Sequence, residues 1–285
     1  MSPSSPGVQT TRTTPGSAIL AHLRLIRAHA CITAALGVLV GARLAVLMPP
    51  VEAIALMMLV VFCVTAAGNT LNDIADRAID AVNRADRPIP SGAVSPRRAL
   101  GIAGVLFAAG IGASLALSPW CAAFAAANGT LLAVYAVASK KLGLFKSIVV
   151  GYLVGSVFLF GAYSPDGLNV SVLVLAGCSA LATVAREIVK DIEDIKGDGQ
   201  LGGRTAPILL GVRTAYTLAF AALLASAALS IVPYVLGRMN VAFLVLDAAA
   251  CLVFVAAAFR NSAAAIQKTI MAGSVVALLA FVVGA

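Results

Sequence analysis

Charge is scarce in this chain. Only 11% of its 285 residues are charged, 6% are aromatic, and 61% are hydrophobic. With a mean hydropathy of +1.00, the composition excludes a soluble globular domain of this length. The five cysteines (Cys31, Cys63, Cys121, Cys178 and Cys251) fall one per apolar segment, with no CxxC and no paired spacing. That pattern favours small core residues over a disulfide framework or a cysteine metal site. The two histidines, His22 and His29, stand alone in or beside the first apolar segment and read as polar packing or interface residues. Residues 1–17 contain no apolar run and are rich in Ser, Thr and Pro, so a disordered tail is expected in place of a cleaved signal. Residues 18–285 are then the membrane domain.

Long apolar runs are what the chain does have. A spanning helix needs about 20 predominantly apolar residues. Breakers such as Pro49-Pro50, Ser118-Pro119 and the 163–169 and 236–240 stretches cut the chain into nine such segments, near 20–48, 51–72, 97–117, 119–138, 145–163, 169–190, 208–236, 240–260 and 263–284. The expected fold class is all-α, a polytopic membrane bundle of nine transmembrane helices. Charge orients it, because short cytoplasmic loops retain Lys and Arg. With the N-terminus inside, all of the 20 basic residues except Arg43 and Arg238, hence 18, lie on the inner side. An odd number of spans places the C-terminus on the opposite face.

The few acids are concentrated. Of 12, only Glu52, Asp166 and Asp247 lie outside two inner loops, which therefore hold nine. The first loop reads NDIADRAID (72–80) and the second KDIEDIKGD (190–198). Aligned without gaps, they pair Asp73 with Asp191, Asp76 with Asp194 and Asp80 with Asp198. One motif follows the second span and the other the sixth, so the chain reads as four helices, four more in the same order and an appended ninth, an internal duplication. Helical spacing puts Asp73, Asp76 and Asp80 on one face, where like charges repel unless a cation lies between them. Carboxylate and amide oxygens are hard ligands suited to Mg²⁺ that also binds substrate phosphate. Arg77, Arg84, Arg87, Lys140, Lys141, Lys190 and Arg204 add positive charge on the same side, so a polyphosphate held by two Mg²⁺ ions fits the inventory. The competing reading, acids that merely end a helix at the interface, explains one such loop better than two in register.

With NDIADRAID running into NRADRPIPSG (83–92), nine spans and a second aspartate motif after the sixth, the chain resembles the UbiA superfamily of intramembrane prenyltransferases over nearly its whole length. The resemblance implies helices around a central cavity and two Mg²⁺ ions bridging the aspartate motifs to an isoprenoid diphosphate. Asn72, Asp76 and Asp80 would serve one ion and Asp194 and Asp198 the other, with Asp73 and Asp191 nearby. Tyr135, five residues before Lys140, matches a family tyrosine that can offer an aromatic face to positive charge or simply pack. Where relatives are expected to carry Gly-Asn, this chain has Lys146-Ser147.

The expected activity is Mg²⁺-dependent transfer of a prenyl group, in the membrane, from a prenyl diphosphate to a hydrophobic or amphiphilic acceptor. The partners are these substrates and the lipid bilayer, with no nucleic acid among them. The REIVKDIEDIKGDG stretch (186–199) resembles the branch that transfers geranylgeranyl to geranylgeranylglyceryl phosphate, and the acceptor hydroxyl would need a base, Asp191 or Glu187. An aromatic acceptor (phenol, quinone precursor or quinolone) and a terpene cyclase on the same scaffold are the alternatives. An ion-coupled transporter would place its acids near the bilayer midplane, whereas these crowd one face. Asp247, inside the eighth segment, is costly in lipid and is expected to pair with a neighbouring helix.

Overall fold

A computed structural model of the chain describes residues 15–138, 142–143, 145–200 and 202–285, and every regular element among them is helical. The helices are α1 (Pro15–Leu25), α2 (Ala28–Leu44), α3 (Val51–Ala75), α4 (Arg77–Asn83), α5 (Pro96–Leu115), α6 (Pro119–Ala138), α7 (Phe145–Gly161), α8 (Val170–Glu193), α9 (Ile195–Gln200), α10 (Ala206–Leu210), α11 (Val212–Ser230), α12 (Val232–Val235), α13 (Val241–Ala257) and α14 (Ala263–Gly284). Of the expected tail, residues 1–14 lie outside the described residues, and helix begins at Pro15. Lys140 and Lys141 also lie outside them.

Starts follow local chemistry. Ser95, Asn169, Asn240 and Ser262 each accept a backbone N–H three residues on, satisfying donors that a helix start leaves orphaned. Six helices are long and apolar enough to cross a membrane, or seven if α1 and α2 count as one bent span, while α7 and α13 are shorter at 17 residues each. The chain is thus a multi-pass membrane protein.

Two of the nine expected segments are not single helices. The first bends by 50° between α1 and α2. Arg27 adopts φ 52° there, an uncommon conformation for a non-glycine residue. The elbow is tied to α3 by Asn69 Nδ2 donating to the Ile26 carbonyl at 3.1 Å and by the Arg27 guanidinium on Asp73. The seventh is interrupted at Gly211 (φ 84°) and again before Pro233, which cannot donate the backbone bond that a helix interior needs.

The duplication is visible in the packing. In the first half α2 packs on α3 and α3 on α5; in the second α7 packs on α8 and α8 on α11. Beyond that the halves diverge. α6 lies against α3, but in the second half α13 packs on α14, and α14 takes the place along α8. The equivalent helices α3 and α8 form the interior, with 50% and 61% of their apolar windows buried against 22–33% for the other four long helices. Glycines permit this closeness: a Cβ at Gly151 would lie 2.7 Å from the Ala180 carbonyl oxygen and one at Gly155 2.5 Å from that of Ala176. These small residues one turn apart bring the α7 and α8 backbones together.

Candidate active site

Each interior helix ends on the middle aspartate of a motif. α3 stops at Asp76 (φ −88°, ψ 2°) and α8 at Asp194 (φ −87°, ψ 3°), and α4 and α9 begin immediately after. In both, the middle aspartate's N–H still bonds the carbonyl four residues back, Asn72 or Lys190, and the third aspartate's N–H bonds the carbonyl of the middle one. The repeat read from the sequence is therefore a repeat of backbone geometry. In each motif the regular helix is interrupted for one residue, at the central acid.

Around the first motif, Asp73 and Asp80 are buried. Arg27 Nη2 lies 2.6 Å and Arg87 Nη1 3.3 Å from Asp73 Oδ1, and the same Arg87 nitrogen bonds Asp80. Asn72 Nδ2 donates to Asp76 Oδ2 at 3.0 Å. Arg87 thus occupies the space between two carboxylates that helical spacing places together.

Around the second motif, Asp191 is 2% exposed and its Oδ1 accepts from Lys146 Nζ at 2.8 Å. Its Oδ2 is buried without a hydrogen-bond partner among the described residues, a state that costs about 1–3 kcal/mol unless a ligand satisfies it. Glu187 is buried beside Arg186 (2.9 Å) and Lys190 (3.9 Å). Asp194 is exposed and Asp198 half-buried. Burial pushes the Asp198 carboxyl above the ordinary aspartate value, Asp194 and Asp76 add to the rise, and Lys146 and Lys190 oppose it. Asp76 is therefore within electrostatic reach of Asp198, and the two motifs face each other at one end of the bundle. Tyr135, at the same end of α6, is within reach of Lys146, Glu187, Asp191 and Asp76.

Among the described residues, no group of three or more His, Cys, Asp or Glu side chains is drawn together as a metal cage. The donor set nevertheless suits a hard divalent cation: carboxylates from both motifs, an amide at Asn72, and basic side chains now lying on Asp73, Asp80 and Asp191. Arg77, Arg84 and Arg204 are exposed. The Arg204 loop is brought in by the turn at Gly143 (φ 54°), where a Cβ would sit 2.8 Å from the Arg204 carbonyl oxygen.

Sequence reasoning missed Arg24 and Arg27, and it read His29 as packing, yet all three line an open pocket beside Asp73 and Arg87. The available signal was two arginines one turn apart within the first expected segment, 20–48. It also missed the use of Lys146. Asp247 does pair with a neighbouring helix: it is buried and bonds Ser230 of α11 at 2.8 Å, lining a small cavity far from the motifs in sequence.

The UbiA prenyltransferase family model matches residues 30–282. A digeranylgeranylglyceryl phosphate synthase of Methanopyrus kandleri is 40% identical over 274 residues, covering 92% of this chain and 97% of its own. The enzyme of that name from Methanococcoides burtonii is 38% identical, covering 93% and 99%. A solved digeranylgeranylglyceryl phosphate synthase superposes with a TM-score of 0.79 at 33% identity over 94% of this chain and 98% of its own. A UbiA homologue from Archaeoglobus fulgidus, bound to GPP and Mg²⁺, shares the fold with a TM-score of 0.70 at 17% identity over 92% and 98%. Matching aspartate motifs at the ends of the two interior helices and a family match over most of the length lead to one conclusion: this chain belongs to the UbiA prenyltransferase family.

Proposed function

We propose that the chain transfers a geranylgeranyl group from its diphosphate to the free hydroxyl of geranylgeranylglyceryl phosphate, using two Mg²⁺ ions. The carrying observation is the paired helix break at Asp76 and Asp194, which supports two facing carboxylate clusters on one diphosphate. The Methanopyrus kandleri and Methanococcoides burtonii relatives, about 40% identical over more than nine-tenths of the chain and both digeranylgeranylglyceryl phosphate synthases, favour this acceptor.

In this reading Asn72, Asp76 and Asp80 would hold one ion and Asp194 and Asp198 the other. Mg²⁺ supplies Lewis-acid stabilisation of the charge that grows on the departing diphosphate. Arg77, Arg84, Arg87, Lys190 and Arg204, with Lys140 and Lys141 of the undescribed stretch, would add positive charge for the same oxygens. Tyr135 presents a ring face toward the allylic cation. Asp191 holds the acceptor hydroxyl through its unpartnered Oδ2 and takes its proton, while Lys146 fixes the carboxylate through Oδ1; Glu187 is the second candidate base. The apolar bundle keeps water from the cation. The orientation has nine spans, the N-terminus inside and the motifs on the cytoplasmic face, supported by the basic inner loops.

The test is incubation of purified protein with geranylgeranyl diphosphate, Mg²⁺ and each acceptor in turn. An ether lipid is expected. A prenylated phenol or quinolone, or a hydrocarbon formed without acceptor, would replace the reading with an aromatic prenyltransferase or a cyclase.

A further inference from the structure

The pocket at the α1–α2 elbow has an open volume of about 350 Å³ and is walled by Arg24, Arg27, His29 and Arg87, with the carboxylates Asp73 and Asp86. Three guanidinium groups face two carboxylates. Asp73 already takes both Arg27 and Arg87 on one oxygen, while Arg24 and His29 are exposed on the wall. Arg87 also bonds Asp80, so Arg24 is the guanidinium of this wall that no carboxylate engages among the described residues, and its planar N–H fork is left over. Such forks suit the oxygens of a phosphate monoester. The Arg27 guanidinium is held on Asp73, and the pocket shares that aspartate with the first motif, one helical turn before Asp76.

We propose that this pocket binds the phosphate monoester of the acceptor, with Arg24 and His29 as specificity-determining residues and Arg27 and Arg87 shared with the first motif. The inference rests on the glycerophosphate reading above. In such an acceptor the carbon bearing the phosphate adjoins the carbon bearing the reactive hydroxyl. A phosphate at the elbow, beside Asp73, therefore holds that hydroxyl close to the first motif. An acceptor without phosphate lacks this anchor.

The test compares geranylgeranylglyceryl phosphate with phosphate-free geranylgeranylglycerol, using the full chain in detergent. Arg24→Gln should raise KM for the phosphorylated acceptor about tenfold or more, the loss of a charged hydrogen bond. The KM for geranylgeranyl diphosphate should stay within about twofold, as should kcat/KM on the phosphate-free acceptor. Arg24→Lys should recover part of the loss, and inorganic phosphate should compete with the acceptor in the wild type but not in Arg24→Gln. Equal losses on both acceptors, or a raised donor KM, would overturn the assignment. So would activity that follows the phosphatidylglycerol content of nanodiscs without competition by phosphate, since the pocket would then hold a bilayer headgroup. If the wild type prenylates neither glycerol acceptor, the parent reading fails; if it does and Arg24→Gln keeps the wild-type KM, the pocket assignment fails alone.

Discussion

Removing Lys146 alone should destabilise the protein more than removing the whole ion pair it forms. Lys146 Nζ lies 2.8 Å from Asp191 Oδ1, and the carboxylate side chain is only 2% exposed. Deleting one partner of a buried pair strands the other charge at a cost of about 3–5 kcal/mol. The lysine side chain retains 21% exposure, so water softens the loss and the lower end, about 3 kcal/mol, is expected for Lys146→Ala. At about 2–4 °C per kcal/mol, this is a fall in Tm of about 6–12 °C. The double variant Lys146→Met/Asp191→Asn leaves no stranded charge and should lie within about 2 kcal/mol of wild type. The assay is thermal unfolding in detergent with EDTA, so that no cation replaces the lysine. A loss below about 1 kcal/mol in the single variant, or a double variant as poor as the sum of Lys146→Met and Asp191→Asn, would refute the reasoning.

Asp76→Asn and Asp194→Asn should each lower turnover about a hundredfold or more while leaving the Tm of the metal-free protein nearly unchanged; near-normal turnover at saturating Mg²⁺ would refute the ligand assignment. Asp198 binds its proton more tightly folded than unfolded, so its contribution is fully present below the ordinary aspartate pKa and is lost as pH rises through the folded value. Asp198→Asn should therefore raise the metal-free Tm at neutral pH and not at low pH, in a pH series of melting curves. Ser230→Ala, which leaves the buried Asp247 carboxyl without its hydroxyl, should cost about 1–3 kcal/mol in stability without changing KM for either substrate. Impermeant thiol labelling of cysteines placed at Asp86 and Gln200 should occur from the cytoplasmic side and at Asp166 from the other; labelling of 86 and 166 from one side would defeat the nine-span orientation.

Much of the fold was legible because lipid imposes length and apolarity on each span. All nine segments correspond to helix, and Asn169, Asn240 and Ser262 mark starts by capping chemistry. The aspartate repeat was legible because it needs only register. The interruption at Asp76 was not: no glycine or proline stands at residues 72–80, so nothing local marks where the helix breaks. The elbow at Arg27 depends on Asn69 and Asp73, more than 40 residues away, so the first segment read as one helix. Lys146 on Asp191 joins residues 45 apart in sequence, through an α7–α8 contact whose closeness comes from Gly151 and Gly155. Asp247 announced a partner by its cost in lipid, but only the packed bundle identifies that partner as Ser230.

The most direct test of the central claim is product analysis by mass spectrometry after purified protein is given geranylgeranyl diphosphate, geranylgeranylglyceryl phosphate and Mg²⁺, beside an EDTA control. The account predicts a Mg²⁺-dependent ether carrying two geranylgeranyl chains on one glycerophosphate, with pyrophosphate released in equal amount. An ether formed equally well in EDTA, or pyrophosphate released with the acceptor recovered unchanged, would contradict it.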